Sequence, residues 1–174
     1  MKILGILGSP RRDGNTAYLL EELGKKLDNN NDLEIIFLRD YDISPCKECY
    51  YCVEHDECSI KDDMQQIYEK LKQTDIIILS SPIFMGGITS RLRAFMERTW
   101  HLRKGQLMGK VGTYLIVGRR DIGSGIHEME EYLSRLMVNK IPGVVGYGLK
   151  KGDVKEDTEA MKDLSRLANQ IVNL

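Results

Sequence analysis

Every cysteine of the chain stands in one stretch, "CKECYYCVEHDEC" at 46–58. Cys46, Cys49, Cys52 and Cys58 follow the pattern C-x2-C-x2-C-x5-C. Thiols so clustered either hold a metal centre or pair as disulfides. Disulfides need an oxidising compartment, and neighbouring knuckle cysteines pair with strain. Structural zinc typically uses two C-x2-C knuckles held apart rather than three thiols in succession. A 4Fe–4S cubane accepts three ligands from one tight loop and a fourth a few residues on. Two-cluster ferredoxin runs end C-x3-C-P and lend their fourth cysteine to the other cluster. Here the last gap is five, Ser59 follows and there is no second run, so all four thiols serve one centre. The spacing favours the cubane, with zinc as the alternative. Tyr50 and Tyr51, between the ligands, are placed to shield such a centre from water.

A second stretch, "GSPRRDGNT" (8–16), carries the chemistry of an anion cradle. Gly8 and Gly14 permit tight turns. Ser9, Asn15 and Thr16 offer donors at the start of a helix, where free N–H groups and the helix dipole favour an anion. Arg11 and Arg12 add fork-shaped donors for a phosphate. The spacing is neither G-x-G-x-x-G nor G-x-x-x-x-G-K-[ST], which excludes the dinucleotide and NTPase fingerprints. The competing reading is an ordinary turn in which Asn15 or Thr16 caps the helix. Two further glycine loops follow. "SSPIFMGG" (80–87) offers Pro82 as a stiffener, Ile83, Phe84 and Met85 as apolar surface for a flat ring, and Gly86 and Gly87 for close backbone approach. "GRRDIGSG" (118–125) carries Arg119 and Arg120, which attract phosphate or an anionic ring, or sit solvated beside Asp121. His55, His101 and His127 have no partner by sequence and receive no role.

These loops must be positioned by the elements between them. Short apolar runs at 2–7, 33–38, 75–80, 110–118 and 143–149 read as strands. Helical spacing marks 16–27, 62–73, 89–102, 126–138 and 155–174. Near-continuous apolar strands alternating with helices predict a parallel sheet covered on both faces. The fold class is therefore α/β, a flavodoxin-like three-layer sandwich with five strands in the order 2-1-3-4-5. One domain over 1–174 is expected, with the cysteine loop at 44–61. In such sheets ligands sit beyond the carboxyl ends of the strands, where the strand order reverses. The glycine loops and the cysteine loop are all expected on that rim.

Composition agrees. The 174 residues are 42% apolar and 29% charged, with a net charge of −1. That gives no basic field for nucleic acid and no polybasic membrane anchor. No apolar run approaches a membrane span. A cytoplasmic protein is expected.

The loops "GSPRRDGNT" and "SPIFMGG", in this order of elements, resemble the NADPH-dependent FMN reductase superfamily. With the cysteine motif after the second strand, the chain resembles the iron–sulfur flavoproteins of that superfamily. The resemblance implies FMN held by Ser9, Arg11, Asn15, Thr16, Pro82, Ile83, Phe84, Met85, Gly86 and Arg119. It implies one 4Fe–4S cluster on Cys46, Cys49, Cys52 and Cys58. Phe84 stands where the family commonly has Tyr, and the two arginines of the third loop depart from a usually uncharged stretch. The implied activity is electron transfer between a ferredoxin-like one-electron donor, FMN and a small acceptor. The alternatives are an NAD(P)H-dependent FMN or quinone reductase with a structural zinc or cluster site, and a non-enzymatic redox carrier or sensor. A homodimer or homotetramer is expected, with Trp100, Leu102, Leu107 and Met108 as exposed apolar positions for an interface.

Overall fold

The computed structural model describes residues 1–174. Strands β1 (Lys2–Leu7), β2 (Asp32–Phe37), β3 (Ile76–Pro82), β4 (Val111–Gly118), β5 (Asn139–Lys140) and β6 (Val144–Tyr147) form one parallel sheet. Its order is β2-β1-β3-β4-β5, with β6 also pairing β4. The long helices are α1 (Asn15–Lys26), α3 (Met64–Gln73), α4 (Ser90–Arg98), α5 (Gly123–Arg135) and α6 (Thr158–Val172), and a single turn, α2, covers Tyr51–Glu54. The predicted order of the sheet is observed.

The apolar strands divide their side chains between two cores, as a sheet buried on both faces requires. Ile3, Leu7, Ile76 and Ile78 pack under α1 and α6. Leu4, Ile6, Ile77 and Leu79 pack under α3, α4 and α5.

Two predicted elements change shape. The fifth strand is two short pieces along the edge of β4, because Ile141-Pro142-Gly143 interrupts it. Pro142 has no N–H for the ladder, and a Cβ on Gly143 would stand 2.5 Å from the Tyr114 ring. The helix predicted over 89–102 stops at Arg98 and continues as a 3-10 turn, Trp100–Lys104. That turn buries Leu102, and Leu107 beyond it is also buried, so only Trp100 and Met108 of the four expected interface residues are exposed.

Candidate functional site

At the carboxyl rim, the loops after β1, β3, β4 and β6 enclose a cleft of about 320 Å³. Of the ten residues expected there, Ser9, Arg11, Asn15, Thr16, Pro82, Ile83, Phe84 and Arg119 line it. Met85 and Gly86 do not.

The first loop explains itself locally. Ser9 is buried; its Oγ accepts from Arg11 N and donates to Arg11 O, both at 3.1 Å, which pins the turn. A Cβ on Gly8 would stand 2.9 Å from Leu92 Cβ and from Thr89 Oγ1, so only glycine fits against α4. Gly14 caps α1 without any side-chain bond, whereas Thr89 and Asp157 cap α4 and α6. The capping role open to Asn15 and Thr16 is therefore not used, and the first amides of α1 keep their capacity for an anion. The two arginines part company. Arg12 pairs with Asp40 and lies 4.9 Å over the Phe37 ring. Arg11 is exposed, makes no ion pair and lines the cleft.

Asn15 does something the sequence does not announce. Its Nδ2 donates to Lys150 O at 2.9 Å and its Oδ1 accepts from Gly152 N at 2.8 Å. The loop 148–152 thereby becomes a wall of the cleft and brings Gly148, Leu149 and Lys151 into it. Those three were missed. The signal was present: "GLKKGD" also leaves a strand at the carboxyl rim and holds two lysines between glycines. Lys151 pairs with Asp13, and that ammonium holds the Asp13 carboxyl below its ordinary value.

The third loop forms a small hairpin. Phe84 N donates to Gly87 O at 2.9 Å and Gly87 N to Phe84 O at 3.1 Å. Met85 (φ 51°) and Gly86 (φ 82°) are both left-handed, as a two-residue type I′ connection requires. This turn lifts Met85 and Gly86 to the tip, away from the cleft, and leaves Phe84 at its mouth, 53% exposed. The hairpin is held from α5 by Ser124 Oγ, which donates to Gly86 O. Arg119 is exposed and unpaired; Arg120 lies 3.9 Å from Asp121 on the outside.

The four cysteines line a second cavity, of about 400 Å³. Left-handed backbone at Glu48 (φ 53°) and Tyr50 (φ 57°) curls the loop. Such conformations are costly for non-glycine residues and cluster at functional sites. Glu48 N donates to Cys46 Sγ at 3.4 Å. The Ser59 hydroxyl, 3.1 Å from Cys49 Sγ, pulls that thiol below its ordinary pKa, while burial pushes Cys52 up. No three thiols, imidazoles or carboxylates of the chain close on a single point as a metal-ion group. The thiols are instead spread around the cavity wall, with Tyr50 and Trp100 beside them. An all-sulfur donor set around an open volume fits a polyatomic iron–sulfur group better than one zinc ion. Tyr51 is outside this cavity: its ring stacks on His55 at 3.9 Å.

The cavity is not on the rim. The chain leaving β2 runs along α4, passing Ser90 and Arg91 with Leu38–Ile43 and reaching Glu97 and Trp100 with Cys46. The cysteines thus sit at the far end of α4, a helix of nine residues, or ~13 Å at 1.5 Å per residue. Adjacency of β2 and β1 places only the start of that loop; its length carries the thiols away.

At the turn into α3, burial pushes the Asp62 carboxyl up, but Arg98 and the Ser44 and Met64 amides outweigh it and hold it below its ordinary value. Arg98 itself is 2% exposed.

The NADPH-dependent FMN reductase family model matches residues 1–163. An iron–sulfur flavoprotein of Methanocaldococcus jannaschii is 33% identical, covering 100% of this chain and 98% of its own. One of Archaeoglobus fulgidus is 32% identical over 99% and 96% of the two chains. Among solved structures, a Trp repressor binding protein from Bacillus subtilis superposes with a TM-score of 0.72 at 25% identity, covering 95% of this chain and 96% of its own.

Proposed function

Since the chain belongs to the NADPH-dependent FMN reductase family and is a flavin-dependent oxidoreductase, we propose that it is an electron-transfer flavoenzyme with two centres. FMN occupies the rim cleft, and one 4Fe–4S cluster is held by Cys46, Cys49, Cys52 and Cys58. The observation that carries this reading is the second cavity, whose wall holds all four thiols of the chain. The flavin supplies one- and two-electron chemistry and the cluster single-electron chemistry; the protein supplies binding, orientation and electrostatics.

The residues divide the work. The open amides of α1, with Arg11 and Lys151 nearby, take the phosphate. Ile83 and Phe84 give the ring an apolar face, and Arg119 favours an anionic reduced ring. Tyr50 and Trp100, an edge-to-face pair with centroids 6.5 Å apart, keep water from the thiol cavity. Electrons enter from a ferredoxin-like donor or NAD(P)H and leave to a small acceptor such as oxygen, peroxide or a quinone. A reducing, cytoplasmic setting keeps the thiols available, and a homodimer or homotetramer is the expected assembly.

The test is iron, sulfide, zinc and FMN analysis on one anaerobically purified sample. About four irons and four sulfides per FMN is the expected result. Zinc with FMN and no sulfide would instead leave a plain flavin reductase with a structural clip.

A further inference from the structure

Arg98 is the last residue of α4, and its side chain has no exposed surface. Its Nη1 donates to Ser44 O at 2.8 Å and to Asp62 Oδ2 at 2.5 Å. Its Nη2 donates to Ile60 O at 3.2 Å and to Asp62 Oδ1 at 3.0 Å. Ser44 and Ile60 bracket the cysteine loop, so one guanidinium ties its two ends together. The fifth donor, Nε–H, is buried and has no partner. A buried donor left unpaired is costly and needs an explanation. Cys58 Sγ lies against this guanidinium and against the Tyr68 hydroxyl, which donates to Arg98 O at 2.8 Å.

We propose that Arg98 is the positioning residue of the cysteine centre: it closes the loop on itself and reserves its free Nε–H for the sulfur of Cys58. This rests on the four-cysteine cluster reading above. A thiol is a weak acceptor, whereas a cluster-bound thiolate is a good one. The donor therefore finds its partner only when the loop is loaded. An N–H directed at a cluster sulfur favours the more negatively charged, reduced state, and such bonds are among the determinants of iron–sulfur potentials. Arg98 is then a determinant of potential as well as of loop geometry. Lysine cannot replace it, since an ammonium has no planar fork to hold two carbonyls and a carboxylate at once.

The experiment compares wild type, Arg98→Lys and Arg98→Gln, each reconstituted anaerobically. Iron and sulfide content, the cluster midpoint potential by EPR-monitored titration, and FMN affinity are read on the same samples. Arg98→Lys is expected to load less cluster, with a midpoint shifted to more negative values and FMN affinity within about twofold of wild type. Full loading and an unchanged midpoint in both variants overturn the role of Arg98 while leaving the cluster reading intact. No loading in either variant with FMN affinity kept supports the anchoring role. Loss of FMN affinity as well overturns it, because the arginine would then serve the whole fold. A wild-type chain that takes up neither iron nor sulfide overturns the cluster reading, and Arg98's role with it.

Discussion

Asn15 and Gly152 stand 137 residues apart and are joined at 2.8 Å, Gly152 N donating to Asn15 Oδ1. The same side chain donates to Lys150 O. The first turn of α1 is thus stapled to the last loop of the rim, and the cleft owes a wall to one carboxamide. Asn15→Ala should cost about 1–2 kcal/mol, the usual net worth of two such bonds, measured by denaturant unfolding. It should also speed proteolysis within 148–152. Unchanged cleavage there would show that the wall stands without the staple.

Arg11 reaches the cleft with no other partner, while Arg12 is held by Asp40. Arg11→Ala should weaken FMN binding by about tenfold to a hundredfold, the worth of one charge-assisted bond. Arg12→Ala should leave it within about threefold, since its charge is engaged outside the cleft. Fluorescence titration of the apo-protein with FMN separates the two, and equal losses would refute the division.

Cys52 is one of four thiols on the second cavity. Cys52→Ser should abolish four-iron loading and leave FMN affinity unchanged, because the thiol cavity and the cleft lie by opposite ends of α4. Iron and FMN analysis reads both. Loss of FMN together with iron would mean that the cysteine loop supports the cleft.

His101 is buried, its ring 4.6 Å from that of Tyr68 and edge-on to it. Burial, with Lys72 adding, holds its pKa below the ordinary 6.5. Above that value His101 is neutral in both the folded and unfolded chain and contributes no pH dependence. As pH falls below it, the unfolded chain takes up a proton that the folded chain resists, so stability declines until the depressed folded pKa is passed. The apo-protein's melting temperature should fall between about pH 7 and pH 5.5, and His101→Phe should flatten that slope. An equal slope in the variant would assign the effect to groups other than His101.

Sequence alone carried the strand order, because buried parallel strands leave apolar runs that only a two-faced sheet can absorb. It also carried eight of ten cleft residues, since glycines and helix-opening donors follow strands in chain order. The four cysteines were legible for the same reason: their spacing is a short-range property.

The rest was decided by contacts between distant parts of the chain. Met85 and Gly86 look like ring-lining residues until both adopt positive φ and rise to the hairpin tip. Leu102 and Leu107 look exposed until the 3-10 turn after α4 folds them inward. Arg98, an unremarked arginine in "FMERTW", becomes the buried clamp of the cysteine loop only when Ser44, Ile60 and Asp62 meet around it. Lys151 and the thiol cavity's distance from the rim depend equally on where long loops are tied down. Periodicity and spacing report on neighbours in sequence. Which buried polar group finds which partner is settled by packing, where each unpaired donor is costly enough to dictate the arrangement.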